Sequence, residues 1–193
     1  MPDDVGGVSP YDRFLADRVL GRELARRILA LDRPDQGPVL MVLSTQQDPA
    51  TDRRWSILLL ALRETLGPEG PSVRVFDVSD RPGYDHQHHS VEPLRVPMLR
   101  QALDSVPGAA VVVSLMGLPE GSGSAALLRD RPLLVYEGRT IDDLRGHPSL
   151  DLPDLLVTAR GGLDFQTVQR NLEHEDEAFA RYYETFPRAE SHP

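Results

Sequence analysis

The chain has 193 residues, of which 40% are hydrophobic, with a formal net charge of −9 and a pI near 5.1. That length suits one ordinary domain with a proper core. The acidic balance argues against nucleic acid and against an anionic membrane surface, since both need a basic face. There is no cysteine and every basic residue is an arginine, so disulfides, thiolate chemistry and lysine Schiff bases are excluded.

Residues 1–8 read as a flexible tail. Ser9 then has the character of an N-cap, with Pro10 at the first helical position. Phe14, Leu15, Val19, Leu20, Leu24, Ile28 and Leu31 follow at helical spacing, and Asp17, Arg18, Arg22, Glu23, Arg26 and Arg27 are assigned to the opposite, polar face. An amphipathic helix of this kind must dock, either on the domain's own sheet or on a partner subunit.

From Pro38 the pattern changes to short apolar runs that alternate with helical ones. Strands are predicted at Val39–Leu43, Val73–Val78, Ala109–Leu115, Leu133–Tyr136 and Leu155–Thr158. Helices are predicted from Asp48-Pro49 through Leu66, around Pro97 to Ser105, and briefly at 124–129. Thr140 and Asp143 have the spacing of a capping box. A long last helix is expected from Asp164 through Phe186, with Phe165, Val168, Leu172, Phe179, Tyr182 and Phe186 along one side.

Strands that are apolar throughout are buried on both faces, and strands alternating with helices indicate right-handed βαβ units. The expected fold is therefore α/β: a single doubly wound, mainly parallel five-stranded sheet, Rossmann-like or flavodoxin-like, with an added N-terminal helix and a long C-terminal helix. The expected strand order is 2-1-3-4-5. Residues 9–186 form the domain in this reading, and 187–193 form a second flexible tail. No apolar run approaches the roughly 20 residues that span a bilayer. Met1-Pro2-Asp3-Asp4 lacks the basic start of a secretion signal, so a cytoplasmic location is expected.

In open parallel sheets ligands bind beyond the carboxyl ends of the strands, where strand order reverses. That directs attention to the loops after the first, third, fourth and fifth strands. Thr45, Gln46 and Gln47 are short, polar and rich in hydrogen-bonding groups. Arg53 and its neighbour Arg54 sit near a helix start, where a cation opposes the helix dipole, so a nearby acidic group is expected: a ligand, Asp48 or Asp52.

Gly121-Ser122-Gly123 could cradle an anion in backbone amides, although a dinucleotide fingerprint and a P-loop lysine are both missing. Glu137 could act as acid or base or bind a hydroxyl. Arg160, followed by Gly161, could bind a carboxylate or phosphate; the alternative is that Glu137 and Arg160 pair with each other. Asp85-His86-Gln87-His88-His89 contains metal-ligand types, with His86, His88 and His89 the candidate ligands, but adjacent histidines rarely converge on one ion.

No catalytic constellation stands out and no cofactor is named by these patterns. The leading expectation is a small-molecule binding or regulatory domain with its site at the carboxyl edge of the sheet. The alternatives are an enzyme using that edge (a metal-assisted hydrolase or a transferase) and a homodimeric interaction module.

Overall fold

The computed structural model describes residues 14–31, 37–45, 49–80, 93–160 and 175–188. Its elements in chain order are α1 (Leu15–Leu29), β1 (Val39–Leu43), α2 (Pro49–Leu66), β2 (Val73–Asp77), α3 (Val96–Ser105), β3 (Val111–Ser114), α4 (Ser124–Leu128), β4 (Leu133–Glu137), β5 (Leu155–Ala159), α5 (Glu175–Tyr182) and β6 (Tyr183–Pro187). Single 3₁₀ turns follow β2 at Val78–Asp80 and β4 at Asp142–Leu144. The fold is mixed α/β around a six-stranded, mostly parallel sheet in the order β2-β1-β3-β4-β5-β6.

The apolar strands split their side chains between two cores because successive residues point to opposite faces. Val39, Met41 and Leu43 of β1 join Val111 and Val113 of β3 beneath α1, α2 and α5. Leu40 and Val42 of β1 join Val112, Val135 and Leu156 beneath α3 and α4. A strand covered on both sides has no solvent-facing set of positions, and for that reason its sequence shows no apolar–polar alternation.

β1 pairs in parallel with both β2 and β3. The chain therefore leaves β1 in one direction to form β2 and resumes on the other side with β3. All five expected strands are present, Val39–Leu43 with the expected bounds and the other four with ends shifted by one or two residues. The second strand stops at Asp77, and Val78 begins the 3₁₀ turn.

Two expectations need correction. The sheet has six strands, and the C-terminal helix stops at Tyr182 instead of running through Phe186. Tyr183–Pro187 is an antiparallel edge strand against β5, with Phe186 opposite Leu156 and Tyr183 opposite Ala159. Aromatic and β-branched residues favour a pleated, half-buried surface, and Pro187 is tolerated because it lies on an edge. Pro187 thus belongs to the sheet and not to a tail. The Thr140–Asp143 pair does form, with the Thr140 amide and hydroxyl both donating to Asp143 Oδ2 at 3.1 and 2.7 Å, but it introduces only a 3₁₀ turn. These bonds hold the Asp143 carboxyl below its ordinary range.

α1 docks on the chain's own fold, burying Leu20, Leu24 and Ile28. A Cβ at Gly21 would run into the Leu58 carbonyl of α2, so only glycine lets the two helix backbones approach this closely. The assignment of Asp17 and Glu23 to the solvent face of α1 is also corrected, because both are buried. Glu23 is satisfied within its own helix by Arg27 at 2.7 Å and Arg26 at 3.6 Å; Asp17 is satisfied from α2. The predicted Ser9 cap, the Asp48 cap and the Asp164 cap with Phe165, Val168 and Leu172 lie outside the described residues. Among the described residues, no helix is long and apolar enough to cross a membrane.

Candidate functional site

A cavity of about 540 Å³ opens beyond the carboxyl ends of β1, β3 and β4, at the point where strand order reverses. Three stretches of chain build it. Ser44 directly follows β1, and Thr51, Arg54 and Trp55 come next in the first turns of α2. Leu115 to Leu118 form the turn after β3. Tyr136 to Arg139 carry β4 out of the sheet.

The α2 wall is held by a buried ion pair. Arg54 donates from Nη2 to Asp17 Oδ1 at 2.9 Å and from Nε to both carboxylate oxygens at 3.2 Å. Burial pushes the Asp17 carboxyl up from its ordinary value, and the hydrogen bonds and positive charge of Arg54 only partly oppose this. Arg54 is itself raised: burial alone would lower it, but Asp17 outweighs that effect. The Arg54 guanidinium carbon lies 5.5 Å from the centre of the Trp55 ring, in cation–π range. Trp55 is fixed by its indole N–H, which donates to the Ser44 carbonyl at 3.0 Å.

The opposite wall is built around Glu137, which is 6% exposed. Arg139 clamps it bidentately, Nε to Oε1 and Nη2 to Oε2, both at 3.0 Å. Two backbone amides add to this, Leu118 to Oε2 at 3.3 Å and Arg139 to Oε1 at 3.4 Å. The hydrogen bonds and charge of Glu137 raise the Arg139 guanidinium, with burial in opposition. Gly117, at φ +81°, passes so close that a Cβ there would strike Glu137 Oε2. Its glycine answers two demands at once, a left-handed backbone and room for a carboxylate.

Tyr136 stands between the walls. Its hydroxyl is pushed up by burial against the lowering influence of Arg54, and its ring meets Tyr183 edge-on at 5.8 Å.

The candidate residues named from the sequence fare unevenly. Glu137 lines the cavity, but its partner is Arg139; Arg160 pairs instead with Glu184 of β6 at 3.5 Å, which corrects the expected Glu137–Arg160 contact. Arg54 does have an acidic partner, yet it is Asp17 of α1 and not Asp48 or Asp52. Arg53 points elsewhere, over the Phe14 ring at 5.1 Å in the groove between α1 and α2. The Thr45 amide donates to Asp77 Oδ1 at 3.3 Å, and its hydroxyl meets that of Ser79 at 2.9 Å, so it ties β1 to β2. Ser122 is exposed on the loop before α4 and does not line the cavity. Gln46, Gln47, His86, His88, His89 and Gly161 lie outside the described residues. Among the described residues, no group of three or more His, Cys, Asp or Glu side chains could hold a metal.

Sequence patterning marks neither Tyr136 nor Arg139 as a site residue, gives Trp55 only as an aromatic that follows the first strand, and sets Asp17 on the wrong face. Signals for some of them existed: Trp55 is the chain's single tryptophan, and Glu137-x-Arg139 follows directly on a buried strand. Asp17 precedes Gly21, Leu24 and Ile28 at helical spacing and so lies on the apolar face.

No family model and no curated protein sequence matches the chain. Among solved structures it is similar to a sugar transporter from Clostridium phytofermentans, with 11% identity and a TM-score of 0.44, over 92% of this chain and 60% of that one. It is also similar to the apo form of a cysteine desulfurase from Thermococcus onnurineus NA1, with 11% identity and a TM-score of 0.37, over 75% of this chain and 32% of that one. This chain therefore spans less than two thirds of the length of either protein, and likenesses this distant say nothing about its activity.

Proposed function

We propose that this chain is a small-molecule binding domain whose ligand occupies the cavity beyond β1, β3 and β4. The observation that carries the reading is the cavity itself, about 540 Å³. Small-molecule sites fall between roughly 300 and 1,000 Å³ and favour such switch points. The finer description of the fold as doubly wound and flavodoxin-like belongs with this reading, because that arrangement creates the crevice at β1 and β3.

Binding is favoured over chemistry by the state of Glu137. Its two oxygens already accept two guanidinium and two amide hydrogen bonds, which suits a group that orients a wall and not one that exchanges protons with a substrate. Arg54 and Arg139 are held by carboxylates before any ligand arrives, so little side-chain freedom is lost on binding.

Trp55 makes the test direct, because as the only tryptophan it reports on this cavity alone. Sugars, nucleotides and organic acids should be screened by thermal shift together with Trp55 emission. Gly138 also lines the cavity, and a Cβ there meets open space, so Gly138→Phe can narrow the site at little cost to folding. A ligand that raises the melting temperature and changes Trp55 emission in the native chain, and does neither in Gly138→Phe, is the expected result. Hits indifferent to Gly138→Phe, or no hit with either readout, overturn the reading.

A further inference from the structure

The cavity has the parts expected of an anion site: two guanidinium groups and backbone amides at the end of a β-strand. In this protein, however, the chain's own carboxylates have taken those places. Asp17 receives the Nε and Nη2 donors of Arg54. Glu137 receives the Nε and Nη2 donors of Arg139 and the amides of Leu118 and Arg139, the donors that a phosphate after β3 and β4 would need. Glu120 adds a further carboxylate to the lining. Three carboxylates thus stand against two guanidinium groups, so an incoming anion would meet no uncompensated positive charge. The one carboxylate of the lining that no arginine clamps, Glu120, lies within the electrostatic reach of Arg139, so a cation there would compete with a resident guanidinium.

What remains for a ligand is of another kind. A guanidinium has five N–H donors, and a bidentate carboxylate uses two of them, so the Arg139 head retains donors after Glu137 is satisfied. Glu120 is exposed and offers acceptor oxygens. Between them lies the apolar surface of Trp55, Leu115 and Met116. Fixed donors and acceptors around an apolar wall, with each arginine already matched by a carboxylate, fit a ring whose faces are C–H and whose edges are O–H.

We propose that this cavity takes an uncharged, hydroxyl-rich ring, the chemistry of a monosaccharide or a cyclic polyol. The proposal rests on the cavity being a binding site at all, and the experiment separates the two claims. The probes are glucose, galactose, xylose and myo-inositol for the uncharged class, inorganic phosphate and citrate for anions, and putrescine for cations. Each is titrated at constant ionic strength into the full chain, into Gly138→Phe and into Glu137→Gln, with Trp55 emission as the readout.

At least one uncharged ring is expected to saturate the native signal at a concentration at least about tenfold below phosphate, citrate or putrescine, and to lose that response in Gly138→Phe. Glu137→Gln removes the internal counter-charge of Arg139 and is expected to gain a phosphate response at least about tenfold stronger than the native chain's. Should Glu137→Gln fail to fold, Glu120→Ala, which removes an exposed side chain from the lining, is expected to weaken the uncharged ring by roughly tenfold and leave the phosphate response no weaker.

Tight phosphate, citrate or putrescine binding to the native chain that Gly138→Phe abolishes overturns the ligand class and leaves the site intact. No saturable response to any probe overturns the class as well. A response that Gly138→Phe leaves untouched overturns the site and the class together.

Discussion

Two arginines follow parallel strands at the same edge of the sheet, Arg54 after β1 and Arg160 after β5, and each leaves 46% of its side chain exposed. Their partners set them apart. The Asp17 side chain is 4% exposed and reaches Arg54 at 2.9 Å, whereas that of Glu184 is 34% exposed and reaches Arg160 at 3.5 Å. The strength of an ion pair depends on the solvent around both charges, so identical exposure of the arginine does not mean identical energetics. The β1–β3–β4 side of the edge is preorganised by buried carboxylates, and the β5–β6 side is trimmed by an ordinary surface pair. A cavity lies over the first side.

The largest effect that this comparison predicts is for Arg54→Ala, which leaves a buried carboxylate without its partner and should cost about 3 kcal/mol in urea unfolding near neutral pH. The loss should depend on pH. The folded-state pKa of Asp17 is already raised by burial, and removing Arg54 takes away the influences that lower it. The folded variant then holds the Asp17 proton more tightly than the unfolded chain does. Its stability is therefore fullest below the ordinary carboxylate pKa and is lost as pH rises through the raised value. The deficit against the native chain should shrink as the pH is lowered; a deficit that stays constant would break the contrast between the two arginines.

Gly117→Ala should come next, at about 2 kcal/mol, because it combines a strained left-handed backbone with a collision at Glu137 Oε2. Thermal unfolding measures the cost, and loss of any Trp55 ligand response would show that Glu137 had been displaced. Unchanged stability would mean that the β3–β4 wall is less rigid than argued.

On the other side, Thr158 of β5 lies in register beside Glu137 and is fully buried, yet its hydroxyl finds no hydrogen-bond partner among the described residues. Thr158→Val keeps the shape and removes an unsatisfied group, so calorimetry should show no loss and a gain of up to about 1 kcal/mol. A clear loss would mean that the β5 side is organised by polar contacts as well. The smallest effect belongs to Arg160→Ala, within about 0.5 kcal/mol in chemical denaturation and reduced further by added salt.

Much of the fold was legible before any coordinates. Val39–Leu43 and Val111–Val113 are apolar without alternation because both faces of a central strand are covered, and this local property gave the mostly parallel sheet, whereas the order of its first five strands rested on a common arrangement of such sheets. β6 escaped because Tyr183 to Phe186 follow a helix with no break, and their strand conformation depends on the free edge of β5. Arg54 and Glu137 could be suspected from their positions after strands. Their partners could not all be read in the same way: Glu137 meets a neighbour two residues on, whereas Asp17 lies on another helix, 37 residues from Arg54.

Periodicity reports which face of an element is dry, since it averages over many side chains and a generic apolar environment. It carries no information about which polar group meets which, since that depends on the close approach of α1 to α2 at Gly21 and on the path of the β3 turn at Gly117. The sequence by itself therefore determined the layered, mostly parallel sheet and pointed to one edge of it for inspection. Only the tertiary structure decided that Arg54 arrives already paired with Asp17, because that pairing requires distant segments to be fixed within a hydrogen bond's length of one another.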